Sequence, residues 1–272
     1  MKKLGMIAGN GYLPAEVVQH CQKVGRELFV VGLEPFVVTE NLSSVPFITA
    51  KIGEIGKIFK AMKDNQVEEI VFAGGLRRPS FSELSPDFEG VKLLAKLAFT
   101  KVSDDVIFRA IIEEIEKRGY RVISVQEAVP EILFHEGIYG SVTPTEQDMS
   151  DIERGITVAK ALGTVDVGQS VVVQEGMVLA VEAIEGTDML LSRAATVKRK
   201  GKDPVMVKII KPGQETRVDF PVIGPATAEQ LIKYGIKGLA VEAGGILIIQ
   251  QRTVIEMANK AGIFIIGIKI ND

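Results

Sequence analysis

The sequence has very few of the residues that build disulfides and metal clusters. Cys21 is the only cysteine among 272 residues, so an intramolecular disulfide and a multi-cysteine zinc site are excluded and a reducing compartment is expected. His20 and His135 are the only histidines, which excludes multi-histidine metal sites and leaves little room for Ser-His-Asp catalysis. Any chemistry must therefore depend on carboxylates, lysines, arginines and backbone groups.

The chain also lacks a basic surplus. Its 32 Lys and Arg residues against 35 Asp and Glu residues give a net charge of −3, whereas a protein that binds nucleic acid through phosphates is usually basic. Hydrophobic residues make up 46% and charged residues 25% of the chain, as in an ordinary folded protein. We therefore expect no nucleic acid among its partners.

No apolar run approaches the roughly 18 residues that span a bilayer. The opening Met1-Lys2-Lys3 and the apolar residues after it resemble a signal peptide, but the apolar stretch ends at Asn10, short of the roughly 7–15 residues such a region needs. We interpret this stretch as a first strand. Together with the single cysteine, these features predict a cytoplasmic protein, whose membrane contact would be peripheral.

The N-terminal half alternates short apolar runs with helical periods, which is typical of a parallel sheet covered by helices on both faces. Its first predicted helix begins near Pro14 and ends at Gly25, in agreement with the preferences for helix starts and ends. We predict a Rossmann-like parallel-sheet domain over residues 1–137. The apolar runs predicted as strands are 4–8, 28–33, 70–73 and 122–125.

The second half has a different pattern. Residues 134–148 are rich in glycine, proline and polar residues, which indicates a linker, and residues 138–272 predict a second α/β domain with a mixed sheet. Two hairpins are expected, around Glu175-Gly176 and around Gly244-Gly245. Capping boxes predict three helices and pair Ser150 with Glu153, Thr227 with Gln230 and Thr253 with Glu256.

A first candidate site follows the first predicted strand. Gly9-Asn10-Gly11 leads into the first helix, where exposed N–H groups and the helix dipole attract phosphate; a tight turn without a ligand is the alternative. The dinucleotide fingerprint is broken, because Pro14 replaces its third glycine and Pro35 follows Glu34. A nucleotide contact is expected here, but a nicotinamide cofactor is not.

Two further polar segments lie in the first half. Gly74-Gly75 precedes Arg77 and Arg78, whose guanidinium groups suit phosphate recognition, although a solvated loop explains them equally well. Asp104-Asp105 precedes a predicted helix and serves most simply as its cap and dipole partner. A ligand role for this acidic pair would be additional.

The densest polar cluster lies in the second domain, at Gly168-Gln169, residues 185–188 and residues 211–221. Asp219 stands among apolar neighbours, where an acid without a partner is costly, so we expect a cation, hydrogen-bond donors or a metal beside it. An ion pair with Arg217 or Lys211 is the structural alternative. Carboxylates with Lys and Arg suit phosphoryl chemistry, because acids hold Mg²⁺ or orient water while cations neutralise phosphate oxygens.

Taken together, these motifs resemble the UDP-2,3-diacylglucosamine pyrophosphatase family of lipid A biosynthesis, of the LpxI type. The resemblance covers nearly the whole chain. Two departures from the family pattern are Glu215-Thr216, where Asp and an aliphatic residue are more usual, and Ser103, where glycine is expected. The segments that carry the resemblance are 4–14, 74–79, 166–169, 181–188 and 211–224.

The resemblance implies a Mg²⁺-assisted hydrolase that splits UDP-2,3-diacylglucosamine into UMP and 2,3-diacylglucosamine 1-phosphate (lipid X) at a site between the two domains. A lipid-linked UDP-sugar substrate implies in turn a peripheral contact with the cytoplasmic face of the inner membrane. The acid of the Arg-Val-Asp-Phe-Pro motif is implied to be catalytic, and here that acid is Asp219.

These motifs define the residues of the expected site. Asp219 is the expected catalytic residue, and Glu185 and Asp188 are the expected Mg²⁺ ligands. The expected substrate-binding residues are Gly11, Tyr12, Gly75, Arg78, Asp105, Gln169, Gly186, Thr187, Lys211 and Arg217.

Two other functions are compatible with the same residues. One is a nucleotide-lipid binding or carrier module without catalysis, which product formation would distinguish. The other is a nucleotide-cofactor-dependent oxidoreductase, which Pro14 and the lack of an evident hydride-transfer constellation disfavour. A metallophosphoesterase with a His-rich dinuclear site is excluded, because neither histidine lies in an Asp-x-His context.

Overall fold

Two compact units make up the part of the chain that the computed structural model describes, which is residues 1–75, 85–97 and 104–270. The first unit comprises Met1–Glu131 together with the short segment Glu215–Phe220. The second comprises Ile132–Gln214 and Pro221–Asp272. Each unit combines a β-sheet with packed helices, so the predicted α/β class is confirmed.

The first unit is built on a five-stranded sheet. Its strands are β1 (Leu4–Ala8), β2 (Leu28–Glu34), β3 (Phe47–Lys51), β4 (Glu69–Ala73) and β5 (Arg121–Ile123). All pairs are parallel and the order is β3-β2-β1-β4-β5, which confirms the predicted Rossmann-like sheet. The apolar pattern missed β3, since Ala50 is its only buried residue.

The helices of the first unit lie between these strands in the chain, except for the last, which follows β5. They are α1 (Leu13–Val24), α2 (Ile55–Asp64), α3 (Phe88–Leu97), α4 (Asp104–Lys117) and α5 (Val125–Ala128). As predicted, α1 has Pro14 in its first turn and ends at Gly25 in a left-handed conformation. Met62 of α2 and Ile112 of α4 are buried in one apolar cluster with strand residues such as Val31.

A six-stranded mixed sheet forms the centre of the second unit. Its strands are β6 (Gly137–Tyr139), β7 (Ser170–Gln174), β8 (Met177–Val181), β9 (Val205–Lys208), β11 (Gly238–Glu242) and β13 (Phe264–Ile268). The order is β6-β13-β11-β9-β7-β8, with β9, β11 and β13 parallel to one another and the other pairs antiparallel. The mixed sheet and the β7-β8 hairpin are both confirmed.

Helices cover both faces of this sheet. They are α6 (Glu146–Thr164), α7 (Gly186–Val197), α8 (Pro225–Tyr234) and α9 (Gln251–Ala261). Successive side chains of a strand point to opposite faces, so Val171 and Val173 pack in a cluster with Ile152 of α6, whereas Val172 belongs to a cluster with Leu190 of α7. In the described residues, no helix combines the length and the apolar character that a membrane span requires.

The second predicted hairpin is wrong. β12 (Leu247–Ile248) pairs in parallel with β10 (Val222–Ile223), and these two strands form a separate small sheet. The chain turns away from β11 at Gly244, whose N–H donates to the carbonyl of Phe134 at 2.8 Å. A local glycine pattern identifies the turn, but contacts with distant residues select the strand partner.

The three helices predicted from capping boxes exist, but their predicted starts are wrong. α6 begins at Glu146, where Thr145 and Asp148 form the capping box, and Ser150 lies inside the helix. Thr227 is the third residue of α8 and Thr253 lies within α9. The pattern of a hydroxyl residue followed by Glu or Gln also occurs inside amphipathic helices, so it locates a helix without fixing its first residue.

A buried ion pair ties the start of α6 to the residue before β11. Asp148 is 1% exposed, and its two carboxylate oxygens accept bonds of 3.0 and 2.8 Å from Lys237 Nζ. It also accepts from the N–H and the hydroxyl of Thr145. Burial raises the pKa of Asp148, but the bonds from Lys237 and Thr145 outweigh this effect and hold the pKa below its ordinary value.

We expect Asp148→Asn to lower the free energy of unfolding by about 2 kcal/mol at pH 7, because Lys237 loses its buried carboxylate partner. Since the pKa of Asp148 is lower in the folded state, the ionised form stabilises the fold above about pH 4, and this contribution disappears as pH falls through the folded pKa. Thermal unfolding between pH 7 and pH 3 measures the effect. A difference from wild type that does not shrink on acidification would contradict it.

Candidate active site

The two glycine turns of the first unit meet at the carboxyl edge of its sheet. The strands that follow β1 and β4 in the chain, β2 and β5, lie on opposite sides of this pair, and the gap between two such strands is the usual ligand position in this architecture. The Gly9 N–H donates to the Ala73 carbonyl at 2.8 Å, and Asn10 and Gly75 exchange backbone bonds of 2.8 and 2.9 Å. The two turns are thereby fixed to each other.

The N-terminus of α1 follows the first turn directly. Its cap residue, Tyr12, makes no side-chain bond to the helix and is 39% exposed. The Gly11 N–H donates to Asn10 Oδ1 at 2.7 Å. Pro14 has no N–H, and the N–H groups of Ala15 and Glu16 donate to the Tyr12 carbonyl. An anion at this end of α1 would therefore meet the N–H groups of Tyr12 and Leu13. The structure brings Gly11, Tyr12 and Gly75 to one edge, and their substrate role stays a prediction.

Two predicted substrate contacts cannot be placed. Arg78, like its neighbour Arg77, lies outside the described residues. The backbone of Asp105 belongs to the first turn of α4, but its side chain lies outside the described part of the structure. Both assignments stay predictions.

The predicted catalytic acid lies in the segment Glu215–Phe220, which belongs to the first unit. Arg217 binds both carboxylate oxygens of Glu215, each at 2.9 Å, and reaches Glu116 of α4 at 3.2 Å. Arg217 also holds the pKa of Glu215 below its ordinary value. Val218 packs against the apolar cluster of this unit. An ion-pair network and an apolar contact thus anchor the segment.

Asp219 itself is exposed. Its apolar neighbour Phe220 turns into the interior while Asp219 stays at the surface. Arg217 binds Glu215, and Lys211 Nζ lies 2.6 Å from Asp166. Exposure leaves Asp219 accessible to a ligand.

A buried polar cluster occupies the carboxyl edge of β8 and β9 in the second unit. Lys208, the last residue of β9, is 5% exposed and donates to Ser170 Oγ at 3.3 Å and to Thr187 Oγ1 at 3.1 Å. The Thr187 hydroxyl in turn donates to Glu182 Oε1 at 2.7 Å. We call these four residues the Lys208 cluster. They link three strands to the start of α7.

Two predicted substrate-binding residues flank the Lys208 cluster. Gln169 donates its backbone N–H to Glu182 Oε2 at 3.4 Å, and its Oε1 is buried without a hydrogen-bond partner among the described residues. Gly186 begins α7 with a φ of +80°, and the space beside its Cα is open. A buried acceptor without a partner is unusual in a folded protein. Its position supports a ligand contact near Gln169.

The predicted Mg²⁺ ligands do not form a preassembled site. Glu185 pairs with Arg193, and its pKa lies below the ordinary value because its carboxylate accepts a bond from its own backbone N–H and one from Arg193. Among the residues whose side chains the structure describes, no three His, Cys, Asp or Glu side chains lie together in a way that could hold a metal. The donor set around Glu185 and Asp188 therefore does not fit a preformed Mg²⁺ site.

Sequence reasoning missed Lys208, Glu182 and Ser170. A signal was present, because Lys208 interrupts an apolar run and Glu182 ends one. A charged residue inside a buried strand needs a partner. The pattern therefore indicates a polar cluster, but it does not identify the other members, which come from different strands.

Models of two protein domains match the chain in order. The LpxI N-terminal domain matches residues 3–132, and the LpxI C-terminal domain matches residues 135–266. The chain belongs to the LpxI family. A curated relative from Caulobacter vibrioides, UDP-2,3-diacylglucosamine pyrophosphatase LpxI, is 40% identical over 275 residues, and the match covers 98% of each chain.

Similarity of this LpxI-family chain to solved structures is weak. N5-carboxyaminoimidazole ribonucleotide synthetase from Thermotoga maritima covers 68% of the chain at 12% identity, with a TM-score of 0.25. Biotin carboxylase from Campylobacter jejuni covers 72% at 13% identity, with a TM-score of 0.23. The chain spans 42% of the length of each of these proteins, and values this low say nothing about function.

In this LpxI-family chain, Gly74 and Gly11 provide a matched test of the contact between the two turns. Their φ values are +95° and +92°, but a Cβ on Gly74 would lie 2.5 Å from the Asn10 carbonyl oxygen, whereas one on Gly11 meets nothing within 4 Å. We expect Gly11→Ala to cost about 1 kcal/mol of backbone strain and Gly74→Ala to cost more. Chemical denaturation measures both, and equal losses would show that the turns are not in fixed contact.

Proposed function

We propose that this protein hydrolyses the pyrophosphate bond of UDP-2,3-diacylglucosamine, giving UMP and 2,3-diacylglucosamine 1-phosphate, in lipid A biosynthesis. The observation that carries this function is the 40% identity, over 98% of both chains, to the curated UDP-2,3-diacylglucosamine pyrophosphatase LpxI. Both LpxI domains also occur here in order. In the reaction the oxygen of water bonds to one phosphorus, and the bond between that phosphorus and the bridging oxygen breaks.

The described edges of the two sheets offer groups that suit this reaction. Negative charge grows on the bridging oxygen as the bond breaks, and N–H donors or cations that face it lower the barrier. The N–H groups of Tyr12 and Leu13 can supply such donors at the start of α1, and those of Thr187 and Asp188 can supply them at the start of α7, where the Gly186 N–H already donates to the Ala183 carbonyl. We assign substrate binding at these two edges to Gly11, Tyr12, Gly75, Gln169 and Gly186.

Bonds within the protein limit what the polar side chains can give to the substrate. The single proton of the Thr187 hydroxyl is directed to Glu182, so Thr187 meets the substrate through its backbone N–H. Arg217 has five N–H donors, of which Glu215 and Glu116 engage some, and the others can bind phosphate. The Lys211 ammonium, which pairs with Asp166, adds positive charge that can attract the phosphate groups of the substrate.

We assign the catalytic role to Asp219. Its carboxylate is exposed, while Arg217 and Val218 fix the segment that carries it. A carboxylate in such a position can take a proton from the attacking water or hold a cation that accompanies the pyrophosphate. Either role requires the negative charge of the Asp219 carboxylate.

We expect Asp219→Asn to reduce turnover by a factor on the order of 10²–10⁴, because the amide keeps the shape of the side chain but cannot accept a proton. The melting temperature and KM should change little. UMP release and thermal unfolding are measured on one preparation. Asp64→Asn, at an exposed acid that pairs with Lys60 at the far end of α2, is the control and should retain full turnover. Wild-type turnover in Asp219→Asn would make Asp219 structural.

We propose that Mg²⁺ supports hydrolysis as a partner of the pyrophosphate itself. A pyrophosphate needs its charge neutralised before water can attack it, and the described carboxylates do not gather into a preformed metal site. The ion would then arrive with the substrate, and the protein would contribute individual carboxylates such as Glu185 and Asp188 only in the bound state.

The test of the function is incubation of the full chain with UDP-2,3-diacylglucosamine and Mg²⁺, followed by mass spectrometry. We expect UMP and 2,3-diacylglucosamine 1-phosphate in equal amounts, because one bond is cleaved per substrate. Excess EDTA should abolish the reaction, and added Mg²⁺ should restore it. Binding without product would favour a nucleotide-lipid carrier, and full activity in EDTA would contradict the metal requirement.

We also propose that the protein works in the cytoplasm, in peripheral contact with the inner membrane. The proposed substrate carries two acyl chains, which hold it in a membrane. Cys21 is a free, buried thiol, which fits a reducing compartment. Neither the charge balance nor the site residues indicate a nucleic-acid partner.

A further inference from the structure

The proposed substrate contacts do not explain why charged groups are buried in the Lys208 cluster. Lys208 and Glu182 are 5% and 7% exposed, and Ser170 is completely buried. Burying an ammonium and a carboxylate costs free energy unless each is well bonded. The rest of β9, Val205–Lys208, consists of buried apolar residues, so an apolar residue would also serve to pack the strand end.

The hydrogen bonds of the Lys208 cluster have a fixed direction. An ammonium can only donate, so the Thr187 oxygen accepts from Lys208 and its proton goes to Glu182. Thr187 is the second residue of α7 and is therefore held on both sides of its hydroxyl group. Glu182 also receives the backbone N–H of Gln169. One network thus sets the first turn of α7 and the residue before β7.

We propose that Lys208 is a positioning residue for the phosphate groups of the substrate. Through Thr187 it fixes the N–H groups at the start of α7 next to Gly186, and through Ser170 it fixes the strand end that carries Gln169. Lys208 does not bind the substrate itself, because its side chain is buried beneath these contacts. This inference rests on the proposed function, since it concerns the same reaction.

A double-mutant cycle tests whether Lys208 acts through Thr187. The variants are Lys208→Met, Thr187→Val and the double variant, each assayed for UMP release from UDP-2,3-diacylglucosamine with Mg²⁺. We expect each single change to lower kcat/KM on the order of tenfold, because a bond to a charged group is lost. The kcat/KM of the double variant should be no lower than that of the less active single variant, because both changes break the same linkage.

Lys237 provides a matched control in the same unit. It too is a lysine with a buried carboxylate partner, Asp148, but it lies directly before β11 and not at the carboxyl edge. We expect Lys237→Met to lower the melting temperature and to leave kcat/KM within about twofold of wild type. If Lys208→Met does not fold, Lys208→Gln takes its place in the cycle, since the amide keeps a donor without the charge.

Wild-type kcat/KM in the Lys208 variant would overturn the positioning role. So would losses that multiply in the double variant, or a loss of kcat/KM in Lys237→Met as large as that in Lys208→Met, because a structural role alone would then account for the data. A wild-type chain that releases no UMP would instead overturn the proposed function, and the two failures are therefore distinguishable.

Discussion

Parallel strands end at the same edge of a sheet, because each connection must cross a face of the sheet before the next strand begins. In the first unit this rule brings the turns after β1 and β4 together, although Gly9 and Gly74 are far apart in the chain. In the second unit it brings Lys208, at the end of β9, to the same edge as Glu182, after β8. The candidate contacts at these two edges depend on this geometry.

The two edges hold their polar groups in different ways. In the first unit, backbone bonds between the two turns determine the geometry, and glycines allow the close approach. In the second unit, a buried lysine, two hydroxyls and a carboxylate do so through side-chain bonds. Backbone bonds tolerate changes of side chain, whereas a buried charge leaves its partners unpaired when it is removed.

The segment Glu215–Phe220 shows that order along the chain and order in space differ in this protein. Its flanking residues belong to the second unit, but Val218 joins the apolar cluster of the first unit and Arg217 binds Glu116. A cut within the predicted linker would therefore separate Asp219 from the groups that hold its segment. Asp219 is therefore far in sequence from Met1–Glu131, which forms the rest of the unit that supports it.

Local signals by themselves determined several helices and strands and the family of this protein. Pro14 and Gly25 bound α1, continuous apolar runs indicated β1, β2, β4 and β5, and Glu175-Gly176 closed a hairpin between adjacent strands. Each of these depends on residues a few positions apart, so the sequence contains the whole signal. The long motifs around Asp188 and Asp219 likewise identified the family without a structure.

Only the tertiary structure decided which strand β12 joins, that Lys208 is buried and that Asp219 is exposed. The sequence suggested a hairpin at Gly244, and this prediction was wrong. Burial and strand pairing depend on groups that come from distant parts of the chain. A residue's neighbours in sequence determine its local conformation, but the free energy of burying its charge is set by neighbours that only folding brings to it.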